Sequence, residues 1–250
     1  MPEYKTSAII LRTYDFKDYD KVVVLYSREY GLVRAIAKGV KRPKSKLGGR
    51  LEPLIASDLI LYEGKNLDII TQCSTTDYFK NLRTDLKKIT FAMYYSELIT
   101  AFGIEEDPQS EEVYNFLYDS IKKLEIAMDN ELEHLLVAFQ HKIMVMSGYA
   151  PMLDRCDHCN KIIEEDSNVY LNSYRGVFIC EKCSDRFGNL AEIDYNLYHY
   201  LKSLNVKNEN TFICDISIVI KAHCIMLNYI KQKTNYKLKT PDLIENICLI

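Results

Sequence analysis

Over residues 3–80 the chain alternates between short β-branched apolar runs and polar turns. Residues 7–13 carry Ala-Ile-Ile-Leu and residues 21–27 carry Val-Val-Val-Leu-Tyr, parted by the polar stretch Tyr14-Asp-Phe-Lys-Asp-Tyr-Asp20. Arg28-Glu-Tyr-Gly31 predicts a second turn leading into a strand at 32–38. Two further strands are expected at 53–62 and 66–75, joined by Glu63-Gly-Lys-Asn66. Five short strands with one longer loop predict a small closed barrel, an oligonucleotide-binding (OB) barrel before an SH3-like one.

From Asn81 the period lengthens. Leu82, Leu86, Ile89, Met93 and Leu98 recur at helical spacing, and this helix is expected to end near Gly103. Asp107-Pro108 predicts the next helix, the acid as N-cap and proline at the first position, with Glu111 and Glu112 in the first turn. Its apolar face is Val113, Phe116, Leu117, Ile121 and Leu124. A third helix is expected over 131–147 along Leu132, Leu135, Leu136, Phe139, Ile143 and Met146, stopped by Gly148 and Pro151. Helical patterns return at 195–204 and at 215–233, the latter along Ile216, Val219, Ile220, His223, Leu227 and Ile230. Thr240-Pro241 opens a last helix to 247, again read as an N-cap before proline. The fold class is therefore α+β: a five-stranded OB-type β-barrel over 1–80, then an α-helical bundle (81–150 and 187–250) interrupted by a cysteine module at 151–186.

That module carries the sharpest chemistry. Cys156-Asp-His-Cys159 and Cys180-Glu-Lys-Cys183 are separated by twenty residues. Two Cys-x-x-Cys pairs so spaced match a four-ligand zinc pattern, because a tight turn brings each pair of sulfurs to one edge of a tetrahedron. Borderline-soft zinc takes thiolate without redox chemistry. Two disulfides, or a redox pair, are the alternatives, and a single redox pair leaves the second pair unexplained. Four thiolates close the coordination shell, so Cys156, Cys159, Cys180 and Cys183 are read as ligands of one structural Zn2+. His158 sits inside the first pair, where cysteine on either side already suffices. Cys73, Cys214, Cys224 and Cys248 are scattered among apolar residues and read as small buried hydrophobes.

Composition changes the picture in one respect. Charged residues at 27% and apolar ones at 48% describe an ordinary globular chain. There is no 18-residue uncharged apolar run, and the amino terminus runs straight into a strand pattern, so neither a membrane span nor a signal peptide is expected and the cytoplasm is the expected compartment. The net charge of −3 hides an asymmetry, however. Residues 1–80 hold 14 Lys/Arg against 10 Asp/Glu, and residues 81–250 hold 18 against 25, so the halves carry +4 and −7.

The positive charge is concentrated from Arg34 to Arg50, where seven of seventeen residues are cationic and none is acidic: Arg34, Lys38, Lys41, Arg42, Lys44, Lys46 and Arg50. Like charges repel, so folding gains nothing from gathering them, whereas a polyanion explains them. Gly39, Pro43, Gly48 and Gly49 predict a flexible arm able to follow a phosphate backbone, although charge runs also form plain solvated faces. Tyr14, Phe16, Tyr19, Tyr26 and Tyr30 lie nearby as stacking surfaces for bases or, equally, as core and rim aromatics. No phosphate-binding loop, dinucleotide fingerprint or nucleophile elbow occurs. His134 and His141 share a helix face without a third ligand, and with His199 and His223 they read as packed or surface histidines. Glu105, Glu106, Asp107, Glu111 and Glu112 read as loop and helix-start chemistry. No catalytic constellation emerges.

These residues resemble the RecO family. The resemblance is carried by Ala8-Ile-Ile-Leu-Arg12, by Gly31-Leu-Val-Arg-Ala-Ile-Ala-Lys-Gly-Val-Lys-Arg-Pro-Lys-Ser45 and by Leu51-Glu-Pro-Leu54. It continues through Gly148-Tyr-Ala-Pro-Met-Leu153 into Cys156-x-x-Cys159 and Cys180-x-x-Cys183. It implies an OB domain, a helical domain and a zinc module whose cysteines some members lack. It also implies a non-enzymatic, nucleoid-associated DNA-repair mediator that binds single- and double-stranded DNA and anneals complementary strands. RecR, the acidic tail of single-strand-binding protein and, functionally, RecA are the implied partners. An RNA-binding OB module with a structural zinc is the alternative expectation, and an enzyme on a zinc-supported fold a third.

Overall fold

The computed structural model describes residues 2–164, 167–172, 175–204 and 215–248. The chain divides into two compact units, Met1–Ala127 with Leu238–Ile250, and Met128–Lys237.

In the first unit the expected strands form: β1 (Glu3–Asp15), β2 (Lys21–Ser27), β3 (Gly31–Ala37), β4 (Ala56–Tyr62) and β5 (Asp68–Asp77). They close into a barrel in the order β1-β2-β3-β5-β4, β4 returning to β1 from Glu3↔Tyr62 to Ile9↔Ala56. Only β3 and β5 run parallel, over the three pairs from Ala35↔Asp68 to Ala37↔Ile70. β1 is longer at both ends than its apolar run, because ladder hydrogen bonds need no apolar side chain and its polar ends still pair with β2 and β4. Val23 and Leu25 of β2 fill the barrel with Ala8, Ile10, Val33, Ala35, Leu59, Leu61 and Ile70. Val22, Val24 and Tyr26 on the opposite face are buried as deeply. A run of valines without alternation is what a strand buried on both faces requires.

The covering helices are α1 (Leu86–Phe102) and α2 (Ser110–Ile126), joined in this unit by a terminal helix, α7 (Thr240–Cys248). Asp85 caps α1, its carboxylate accepting from Lys87 N and Lys88 N at 2.9 and 3.0 Å. The stripe expected on α1 is not the one observed. Leu82 lies in a preceding 3-10 turn, and Leu86 and Met93 face solvent, while Phe91, Ala92, Tyr94, Tyr95, Leu98 and Ile99 are buried. A helix covered on several sides loses its amphipathic signature. Two expected caps also differ. α2 starts after Gln109, and Asp107 lies one turn-residue further out than a cap on the first helical position. Its Oδ1 accepts from Gln109 N at 2.8 Å, while its Oδ2 accepts from the hydroxyl of the fully buried Tyr26 at 2.8 Å. At α7 the capping carboxylate is Glu97 of α1, accepting from Lys239 N and Thr240 N at 2.8 and 2.9 Å.

The helices flanking the cysteine module are divided between the two units. The second unit keeps α3 (Leu132–Met146), α5 (Tyr195–Ser203) and α6 (Ile216–Lys233), with α3 and α5 packed on α6. Its small sheet is β6 (Val169–Asn172), β7 (Val177–Cys180) and β8 (Ala191–Ile193), in the order β7-β6-β8, with the one-turn α4 (Glu181–Ser184) after β7. The sheet therefore reaches past residue 186. Gly176, at φ 64° in the β6–β7 turn, lies against the ring of Tyr229 on α6: a Cβ there would stand 2.1 Å from Cε2. Tyr229 in turn donates to Tyr149 O at 3.1 Å. Of the scattered cysteines Cys73 is buried, whereas Cys224 is exposed, contrary to expectation. Cys214 and the side chain of Cys248 lie outside the described residues. Among the described residues no helix is long and apolar enough to cross a membrane.

Candidate metal centre and nucleic-acid interface

The two Cys-x-x-Cys pairs are brought together by two local turns. In the first, Asn160 N donates to Cys156 O at 2.8 Å and Cys156 N to Lys161 O at 2.9 Å. In the second, Cys180 ends β7 and Cys183 lies in α4. The β6–β7 hairpin carries the second turn to the first, with Asp157 N bonding Phe178 O at 2.9 Å. All four sulfurs then lie within 4.8 Å of one another. All four cysteines are free and converge on one point rather than pairing two by two. Sulfurs about 2.3 Å from a tetrahedral centre are about 3.8 Å apart, and Cys159 Sγ to Cys180 Sγ measures 3.8 Å. The donor set therefore fits a metal ion held by four thiolates.

Electrostatics agree. Burial would raise the Cys156 thiol, but hydrogen bonds from backbone N–H groups of Cys159, Cys180 and His158 outweigh it and hold the thiol down at about 6. Cys180 and Cys183 are pushed up by burial first; the sulfurs of Cys156 and Cys159 push both further, while a hydrogen bond from Cys183 pulls Cys180 partly back, and Cys183 reaches about 12. Four adjacent sulfurs cannot all ionise without a cation among them. His158 is no ligand: its Nε2 lies 2.9 Å from Arg186 Nη1 and its ring packs edge-on against Phe187. Of the other module cations, Arg175 pairs with Asp157 at 2.8 Å, while Lys161 and Lys182 are exposed.

The basic run is a folded loop, not a flexible arm. Val40, Leu47 and Leu51 reach into the barrel core, and the chain between turns through Arg42 N to Gly39 O, Ser45 N to Arg42 O and Arg50 N to Leu47 O, at 2.9–3.2 Å. Three apolar side chains among the cations gain free energy only by entering the core, and that anchors the loop. Outside, the β1–β2 hairpin clips it: Asp20 accepts from Gly39 N at 2.8 Å and Tyr19 O from Lys41 N at 3.1 Å.

The seven cations then sort into two groups. Arg34 is ion-paired with Glu105, Lys41 with Asp15 at 2.8 Å, and Arg50 donates to Cys73 O at 3.3 Å. Arg42 lies over the ring of Tyr19. Lys38, Lys44 and Lys46 are exposed and make no ion pair among the described residues. Carboxylate partners, absent within the run itself, thus come from elsewhere in the chain for two of the seven. The acidic cluster supplies one of them and otherwise makes ties: Glu106 N donates to Tyr30 O, Asp107 holds Tyr26, and Glu111 pairs with Arg28 at 2.7 Å. Sequence reasoning missed this sorting and the anchoring of the loop. Val40 and Leu47, lone apolar residues in a cationic run, were the signal for the anchoring.

Of the five aromatics named, Tyr26 is buried and Tyr30 packs edge-on against Tyr4 at 4.7 Å between centroids, while Tyr14, Phe16 and Tyr19 are exposed. The histidines are packing groups. His134 contacts Tyr200, His141 is buried, His199 neighbours Tyr195, and His223 lies buried with Nδ1 3.1 Å from Gln140 Oε1.

Comparison with known proteins yields two family matches, "Recombination protein O N terminal" over residues 1–79 and "Recombination protein O C terminal" over residues 83–238. Among similar proteins is a "DNA repair protein RecO" of Pelotomaculum thermopropionicum, 34% identical over 82% of this chain and 77% of the relative. Proteins of the same name from Clostridium novyi (32% identical; 96% and 93% covered) and Caldanaerobacter subterraneus (30%; 95% and 96%) match nearly end to end.

Proposed function

The chain belongs to the RecO family of DNA repair proteins, and from that premise we propose that it is a recombination mediator that works by binding DNA and performs no covalent chemistry. Lys38, Lys44, Lys46 and Arg42 neutralise phosphates of single- and double-stranded DNA, with Arg34, Lys41 and Arg50 at the margin of the same surface. Releasing condensed counterions drives binding, and screening the repulsion between two strands lets complementary bases pair. In the cytoplasm, at the nucleoid, it helps load RecA onto strands covered by single-strand-binding protein, together with RecR and through that protein's acidic tail. Cys156, Cys159, Cys180 and Cys183 hold a structural Zn2+ that folds the module between α3 and α5 and leaves no open position for chemistry.

The observation that carries the DNA reading is the set of three exposed lysines, without carboxylate partners among the described residues, on an anchored loop of an OB-type barrel. The test is the rate at which complementary oligonucleotides anneal with the wild-type protein and with the Lys38→Gln, Lys44→Gln, Lys46→Gln variant. The variant is expected to be slower, and an unchanged rate sinks the mechanism. Competition by single-stranded RNA as effective as that by DNA would favour an RNA-binding module instead.

A further inference from the structure

The β1–β2 hairpin carries three aromatic rings that the barrel core does not use. Tyr14, Phe16 and Tyr19 are 44%, 45% and 52% exposed, all within six consecutive residues. Tyr14 lies near the end of β1 and Phe16 just past it, and Asp15 between them pairs with Lys41. Each ring has a cation on one face. The guanidinium of Arg12 lies 5.6 Å from the Tyr14 centroid, Lys17 Nζ 5.4 Å from Phe16, and the guanidinium of Arg42 5.2 Å from Tyr19. A cation held there by the ring quadrupole steadies the ring and leaves its opposite face to solvent.

The hairpin is also tied to the basic loop. Asp20 to Gly39, Tyr19 to Lys41, Asp15 to Lys41 and Arg42 to Tyr19 are four separate contacts between the two segments. The hairpin that carries the rings is therefore fixed against the Gly39–Arg42 part of the basic loop, the segment that Lys38 and Lys44 flank in sequence. A ligand that matches both must present flat π faces and a row of anionic charges together. Single-stranded nucleic acid does so. A duplex does not, because its base faces are stacked on one another and only groove edges and phosphates remain outside.

The geometry points to a base-stacking ledge: we infer that Tyr14, Phe16 and Tyr19 take the faces of unpaired bases while the lysines of the adjoining loop follow the phosphates. The inference rests on the nucleic-acid reading above and names the residues that make it selective for unpaired strands. The lysines cannot tell a single strand from a duplex, and the rings can.

The test compares three ligands of equal length at one salt concentration: a thymidine oligonucleotide, an abasic oligonucleotide with the same phosphates, and a duplex. They are titrated against wild type, against Tyr14→Ala, Phe16→Ala, Tyr19→Ala, and against Tyr14→Phe, Tyr19→Phe, which keeps the rings. Wild type is expected to bind the base-bearing strand at least tenfold more tightly than the abasic one. The alanine variant should lose about fivefold or more for each ring engaged, on the base-bearing strand alone. Its abasic and duplex affinities and its salt slope should hold, and the phenylalanine variant should bind as wild type does. A 2-aminopurine placed in the strand should change its fluorescence on binding to wild type and not to the alanine variant. Equal wild-type affinity for the thymidine and abasic strands overturns the ledge, and so does equal weakening of all three ligands by the alanine variant. Absence of salt-dependent binding to every ligand overturns the nucleic-acid reading itself.

Discussion

Replacing Lys38, Lys44 and Lys46 together by glutamine is expected to weaken single-strand binding about a hundredfold at roughly 0.1 M salt. Each phosphate contact on a single strand contributes about −0.7 to the slope of log K against log salt, so three lost contacts flatten the slope by about 2. The electrostatic contribution fades as salt approaches about 1 M, so that slope difference amounts to about two decades one decade of salt lower. The control removes the paired cations with their partners, Arg34→Gln with Glu105→Gln and Lys41→Gln with Asp15→Asn, which leaves net charge unchanged. These are solvent-exposed pairs whose loss costs about 1 kcal/mol of stability or less, so the fold is expected to persist. Their contribution to phosphate binding is already spent on carboxylates, and the slope should move by less than about half a contact. Fluorescence anisotropy of a labelled oligonucleotide across a salt series reads both sets. If removing the two ion pairs flattens the slope as much as removing the three lysines, the pairs open on DNA and the sorting of the cations is wrong.

Two further outcomes follow from the second unit. Burial, with a further push from Lys231, holds the His223 imidazole down at about 4; the imidazole of the unfolded chain takes its proton near 6.5. Stability from this group is therefore complete above about pH 6.5 and falls as pH drops toward 4, by about 2 kcal/mol between pH 7 and pH 5. Urea denaturation of His223→Gln should show that much less acid loss than wild type, and an identical loss would refute the assignment. Stripping metal with a chelator, or substituting Cys156→Ser, should open residues 152–193 to limited proteolysis while the barrel unit stays intact. A metal-free chain as resistant as the loaded one would show that the module folds without its ion.

Some parts of the structure were legible because their causes are local. Two residues between cysteines suffice for a turn that aims both sulfurs at one point, and two such turns define a metal site wherever the chain places them. The β-branched Val22-Val-Val-Leu25 run was legible as a strand, though its burial on both faces came from the barrel and the helices that cover it. Other parts failed for tertiary reasons. Leu86 and Met93 keep helical spacing but face water, because α1 is enclosed on the sides that carry Phe91, Tyr94, Tyr95 and Leu98. Asp107 before Pro108 has the chemistry of a helix cap and does accept from Gln109 N, yet its second oxygen ties down a buried phenol from a distant strand, which no local pattern could announce. Cys224 sits in an apolar stretch and is exposed, because its helix turns that position outward.

The run from Arg34 to Arg50 shows the division most clearly. By itself the sequence determined that seven cations gather there without an acid among them, and that their charge suits a polyanion. It also held Val40 and Leu47, the apolar positions that tie the loop down. Which of those cations remain available was decided only by tertiary structure. Glu105, 71 residues from Arg34, and Asp15, in the neighbouring hairpin, each claim one. Tyr19 places its ring under Arg42, and Lys38, Lys44 and Lys46 are left facing water. Charge is a property of a residue, but whether it is free is a property of what the fold brings within about 4 Å of it.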